Sequence, residues 1–246
     1  MAGGGVGAQL RARLRPVTLL AWLALAALGA IALLGEARGA MPTRYSRFRA
    51  AAGVPSRVGM GALYGAPALV AGGLLVLEAP TGARSLVCVA LLAHFGKRCL
   101  EVAFVHSYSG PIDRFTVVVI GAFYTAAALA IGRAPAVGGA LGVALFTVGE
   151  ATNLAHHVVL ARARGGTLDY VVPEGLLFRW VACPHHLGEI VAWLGILAMS
   201  RQPVTLAVVT WMTGYLTGRS LRTLAWYREH LAGWPPDRRA LVPGLL

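Results

Sequence analysis

Four apolar runs of the chain carry ionisable residues in line. His94, Arg98 and Glu101 follow one another at i, i+4 and i+7, which places all three on one helical face with Lys97 beside them. Glu150, Asn153, His157 and Arg164 make a second stripe. His185, Glu189 and Trp193 make a third at steps of four, and Arg219, Arg222, Trp226 and Tyr227 close a fourth run. Ionisable groups inside apolar segments are expensive unless partnered, so they mark functional sites in membrane proteins. A pocket rich in Arg and Lys, with hydrogen-bonding side chains and flanking aromatics, suits a phosphorylated aromatic ligand. Arg matches phosphate oxygens, and Trp or Tyr stacks on a ring. The plainer readings are an Arg98–Glu101 pair that locks two helices, and basic residues of the last run that only anchor a helix end.

Helices must position these stripes, and the composition says which kind. Charged residues make up 13% of the 246, while AVILMFWYC residues make up 57% and 31 glycines come on top. Soluble domains run near 25% charged, so such a chain cannot coat a water-facing surface. It is far too apolar for disorder, and three cysteines are too few for a disulfide scaffold. Apolar runs long enough to cross a bilayer fall at 16–35, 58–77, 83–106, 114–132, 136–161, 184–200 and 203–222. No strand-period alternation supports a β-barrel. The expectation is an all-α integral membrane protein of seven transmembrane helices. It forms a single membrane domain over residues 1–246, with residues 1–15 as a flexible tail.

Net charge is +12. The basic residues do not cluster with interleaved aromatics as a nucleic-acid surface would; they gather at the ends of apolar runs. Sixteen of the 22 Lys and Arg fall on the side of the C-terminus and six on the other. The positive-inside rule then places the C-terminus in the cytosol. Arg11, Arg13 and Arg15 precede a run too long for a signal-peptide core, which predicts a retained first span.

Metal chemistry is not expected: seven histidines include two adjacent pairs but no HxxHH or HxxxH spacing. No serine or cysteine sits in a nucleophile context. No Rossmann fingerprint exists, so a dinucleotide would have to be held by helices. Cofactor-borne hydride or methyl transfer fits the stripes better.

The stretch 153–193 reads NLAHHVVLARARGGTLDYVVPEGLLFRWVACPHHLGEIVAW. An Asn-led helix ending in Arg, then Tyr-x-x-Pro-x-Gly-x-x-Phe and Leu-Gly-Glu-x-x-x-Trp, resembles the C-terminal region of the steroid 5-alpha-reductase family. So does the tail: Arg219, Tyr227, Trp234-Pro235-Pro236, then Arg238 through Pro243. The run from His94 to His106 looks more like the related trans-2-enoyl-CoA reductases. The resemblance covers about residues 90–246, expected as the NADPH-binding region.

It implies a seven-helix endoplasmic-reticulum membrane protein that binds NADPH on the cytosolic side and reduces a C=C conjugated to a carbonyl. The substrate would be a lipid, steroid-like or enoyl. By position, the resemblance carries cofactor contacts to Arg98, Asn153, Arg164, Tyr170, Glu189, Trp193, Arg219 and Tyr227. His157 and His185 stand where the steroid reductases have Asp and Asn. The family's catalytic Tyr position is Phe95 here, which has no hydroxyl. Tyr64, ahead of Pro67, and His94 are the candidate catalytic donors in its place. Other readings are a trans-2-enoyl-CoA reductase with Arg44, Arg47 and Arg49 at its mouth, a membrane methyltransferase, or an inactive homologue.

Overall fold

A computed structural model of the chain describes residues 4–41, 43–49, 51–165 and 169–246, with side chains from Leu20 onward. Seven α-helices make up the fold: α1 Gly4–Ala37, α2 Ser56–Leu77, α3 Gly82–Phe104, α4 Arg114–Arg133, α5 Ala140–Ala163, α6 Pro184–Ser200 and α7 Pro203–His230. Short 3-10 turns occur at Ser46–Phe48 and Leu176–Arg179. There are no β-strands among the described residues; two isolated bridges tie loops together.

Each of the seven apolar runs becomes one helix. Three ends differ from expectation. α1 begins at Gly4, inside the stretch expected as a tail, while residues 1–3 and the side chains of Arg11, Arg13 and Arg15 lie outside the described residues. α5 begins at Ala140 rather than 136. α7 runs on to His230, so Trp226 and Tyr227 sit on helix rather than beyond it. Local signals set several ends: Asp113 accepts the Thr116 N–H at 2.9 Å as N-cap of α4, and Pro184 and Pro203 open α6 and α7.

Three helices are long and apolar enough to cross a membrane by length and composition: α1 over Leu20–Ala37, α2 and α4. Their outward faces are bare apolar surface, with Leu69, Val76, Leu77, Val118 and Phe115 all more than half exposed. The four others fall short because α6 has only 17 residues and α3, α5 and α7 carry ionisable groups.

Glycines set how closely helices approach. α5 and α6 pack backbone to backbone through Gly142 and Gly149 on one and Gly188 and Gly195 on the other. A Cβ on Gly149 would lie 2.3 Å from the Ala192 nitrogen, and one on Gly188 would lie 2.6 Å from the Asn153 nitrogen. α1 meets α7 the same way, at Gly29, Gly214 and Gly218. The connection before α2 is tied to the one before α4 by paired Val54–Ile112 hydrogen bonds of 3.0 Å. The tail is tied to the start of α6 through Ala182 N–H to Arg239 O at 2.8 Å and Cys183 N–H to Ala240 O at 3.0 Å.

Candidate functional site

One cavity of about 330 Å³ lies among the helices. Its wall takes residues from the loop after α1, the N-terminal half of α2, the C-terminal end of α3 and the middle of α4. The C-terminal end of α5, the N-terminal end of α6 and the middle of α7 complete it. Odd helices present C-terminal ends and α2 and α6 present N-terminal ends, so these contributions meet at one end of the bundle, the end where the basic residues gather.

The stripes on α3 and α5 meet face to face behind the cavity. His94 Nδ1 lies 2.5 Å from Glu150 Oε1, and Lys97 Nζ donates to Asn153 Oδ1 at 2.5 Å and pairs with Glu150 at 2.9 Å. Arg98 binds Glu101 and lies 3.0 Å from His157 Nδ1. The Arg98–Glu101 pair lies within α3, and its members reach Tyr64 on α2 and His157 on α5. Arg98 Nη2 donates to the Tyr64 hydroxyl at 2.8 Å, and its guanidinium lies 4.7 Å from the Tyr64 ring centre.

Of the residues singled out in the sequence, Tyr64, Arg98, His157, Arg164, His185, Glu189 and Arg219 line the cavity. His94, Asn153, Tyr170, Trp193 and Tyr227 do not. His94 points between Phe95 and Trp193, at ring distances of 4.9 and 5.3 Å, and is occupied by Glu150; as placed, its imidazole does not reach the cavity. Asn153 bridges Lys97 to the His185 carbonyl (2.9 Å), which fixes the start of α6. Trp193 is fully buried against Phe95 and His94. Helical spacing explains the split: a stripe three turns long cannot present every member to one small cavity.

The basic end is built around arginines and rings. Arg47, read from the sequence only as a mouth or topology charge, stands over the rings of Tyr227 (4.2 Å), Tyr170 (5.2 Å) and Trp226 (5.6 Å). Its Nη2 donates to the Tyr227 hydroxyl at 2.9 Å, while its buried Nη1 has no partner among the described residues. Arg164 donates to the Ser107 carbonyl at 2.7 Å and lies 4.2 Å from the Tyr170 ring centre. Arg219 is anchored by Glu36 at 2.6 Å, and by the carbonyls of Thr43 and Tyr45. Burial pushes the Tyr170 phenol up, but hydroxyls of Ser109 and Ser46 and the charges of Arg47 and Arg164 outweigh it, leaving its pKa below the ordinary tyrosine value.

Glu189 is buried in the cavity wall with no hydrogen bond or ion pair among the described residues, and His185 Nδ1 is likewise buried and unpartnered. Unsatisfied donors and acceptors facing one cavity with several cations fit a polar, anionic ligand. Sequence reasoning read Arg47 only as a mouth or topology charge, and it missed Tyr124, Glu36 and Tyr45. Arg47 and Tyr45 come from a loop with no helical period, Tyr124 lies in the most uniformly apolar run, and Glu36 falls just past the run 16–35. Two groups of metal-ligating type also form here, Cys183–His185–His186 and Glu101–His106–His157. The second is crossed by Arg98 and Lys97, whose charges oppose a cation.

This is an all-helical protein with an arginine-rich cavity at one end of its bundle. The chain belongs to the 3-oxo-5-alpha-steroid 4-dehydrogenase, or steroid 5-alpha-reductase, family, whose sequence model matches residues 118–246. A very-long-chain enoyl-CoA reductase of Dictyostelium discoideum is 29% identical over 66% of this chain and 57% of its own length. A steroid 5-alpha-reductase of Gossypium hirsutum is 33% identical over 42% of this chain and 40% of its own. The rat 3-oxo-5-alpha-steroid 4-dehydrogenase 1 is 32% identical over 43% and 41%. The chain thus spans about two fifths to three fifths of the length of these relatives.

Proposed function

We propose that this protein is a membrane-embedded reductase that uses NADPH to saturate a C=C bond conjugated to a carbonyl in a lipid substrate, such as a 3-oxo-4-ene steroid. The observation that carries this is the mixed lining of the cavity. Arg47, Arg98, Arg164 and Arg219 share its wall with Tyr64 and with the apolar Leu63, Ile120 and Phe123. Membership of a family whose relatives are named as reductases supports the reading.

Arg47, Arg164 and Arg219 would hold the cofactor's phosphates, with the rings of Tyr170 and Trp226 nearby. Glu189, His157 and His185 would take hydrogen bonds deeper in. When bound, the reduced nicotinamide supplies the hydride. Tyr64 would polarise the carbonyl. Its oxygen accepts from Arg98, which leaves its own proton to donate and makes it a stronger donor. The seven helices would all cross the endoplasmic-reticulum membrane with the C-terminus in the cytosol, which puts the basic end on the cofactor's side.

Fluorescence titration of the purified protein with NADPH, NADH and S-adenosylmethionine tests the reading. NADPH should bind much more tightly than NADH, because the arginines add contacts to its extra phosphate. Preference for S-adenosylmethionine would sink the reductase reading. Tyr64→Phe should keep NADPH affinity and lose roughly 100-fold in turnover of an enone; unchanged turnover removes Tyr64 from the chemistry.

A second reading is a trans-2-enoyl-CoA reductase. The Dictyostelium relative aligns over the longest stretch of the three compared, and Arg49, which donates to Ser109 at 3.1 Å, adds charge near the same mouth. Comparing a steroid enone with an enoyl-CoA as substrates separates the two.

A further inference from the structure

The cavity wall holds a second phenol that nothing above employs. Tyr124 lies in the middle of α4, and its ring stacks on that of Tyr64, with centres 5.9 Å apart and planes 27° apart. It also packs edge-on to Phe95 at 5.4 Å. Phe95 is wholly buried and does not line the cavity, whereas Tyr124 does, so Tyr124 stands between Phe95 and the ligand space. Its side chain is 8% exposed, and its hydroxyl has no hydrogen-bond partner among the described residues. A phenol buried in apolar surroundings normally finds a partner. A packing role would need only the ring, which Phe supplies.

Depth in the bundle agrees. Tyr64 comes eight residues after the start of α2 and Tyr124 ten after the start of α4, so both lie on the order of 12–15 Å in from the basic end at 1.5 Å per residue. Arg47, in the loop after α1, and Arg164, at the end of α5, stand nearer that end than the two phenols, while Arg98 reaches Tyr64 directly.

Resting on the reductase reading, we propose that Tyr124 is a second catalytic hydrogen-bond donor to the substrate's carbonyl oxygen. Tyr64 from α2 and Tyr124 from α4 then form a two-phenol oxyanion site for a flat, apolar, α,β-unsaturated carbonyl compound. As hydride adds to the β-carbon, the C=C electron pair shifts toward the carbonyl and its oxygen becomes an enolate. Two phenol hydrogen bonds hold that charge in a cavity where Glu189 supplies only negative charge. The α-carbon then takes a proton from solvent, which completes the saturated carbonyl product.

The test uses the full-length protein in detergent or nanodiscs. It combines enone turnover with equilibrium binding of a fluorescent naphthol, whose anion mimics the enolate. Tyr124→Phe should lower kcat by about 100-fold. It should weaken naphtholate binding at least tenfold and leave affinity for NADPH and for a matching hydrocarbon unchanged. A Tyr124→Phe protein with wild-type kcat and naphtholate affinity overturns the proposal and leaves Tyr124 as packing. Should that variant lose NADPH binding, 2,3-difluorotyrosine at position 124 replaces it. This more acidic phenol must strengthen naphtholate binding, and no change overturns the proposal. If the unaltered protein neither binds NADPH nor reduces any enone, the reductase reading itself fails, a result distinct from an active protein indifferent to Tyr124.

Discussion

At the scale of the residue, the site depends on side chains whose partners are only partly supplied by the protein. Arg47 shows this best: one nitrogen is spent on Tyr227, another is buried without a partner among the described residues, and three rings box the guanidinium. A phosphate oxygen is the natural complement. Arg47→Ala should weaken NADPH binding by about tenfold to 100-fold, in line with about 1.5–3 kcal/mol for a charge-assisted hydrogen bond. Arg47→Lys should recover little, since a point charge cannot replace the planar fork. Equal nucleotide affinity in Arg47→Ala would remove it from the cofactor site. Arg47 was legible only as one basic residue among several at a mouth, because its loop has no period to read. Arg98 and Glu189 stood out as polar groups on a helical face, since a helical repeat in an apolar run exposes them at once.

At the scale of the element, the α3 and α5 stripes satisfy each other, and α6 delivers His185 and Glu189 only because it lies against α5 backbone to backbone. Gly149 sits at that seam, where even a methyl would meet the Ala192 nitrogen at 2.3 Å. Gly149→Leu should therefore separate α5 from α6, lowering the yield of folded protein and abolishing nucleotide binding. Gly96→Ala, whose added methyl meets nothing within 4 Å, should leave both unchanged. Thermal unfolding with a cysteine-reactive dye, read beside a nucleotide titration, separates the two variants; a Gly149→Leu protein as stable as wild type would contradict the packing. The glycines were visible in the sequence as a sign of close packing, but not which helix they approach. Glu36 makes the same point across α1 and α7. It is wholly buried, holds Arg219 at 2.6 Å and takes a hydrogen bond from Thr43, yet in sequence it falls just past the apolar run 16–35.

At the scale of the whole molecule, the distribution of charge sets the expected orientation. Cavity, arginines and tail share one end of the bundle, and in a membrane that end should face the cytosol. An N-glycosylation acceptor appended after Leu246 should remain unmodified in microsomes, while one inserted in the connection between α4 and α5 should be glycosylated. The reverse pattern would place the cavity on the lumenal side and overturn the cofactor reading with it.

The sequence by itself determined the number of helices and most of their ends, because each is an apolar run closed by polar residues, Gly or Pro. It also determined the polar stripes, because residues three and four apart share a helical face whatever surrounds them. Which members of a stripe meet ligand and which meet protein was decided only by the tertiary structure. Helical period fixes a direction around one axis but not what stands opposite. His94 and Trp193 turned toward α3–α5–α6 packing, while Tyr64 and Tyr124, from runs with no polar period, came to lie side by side in the cavity wall.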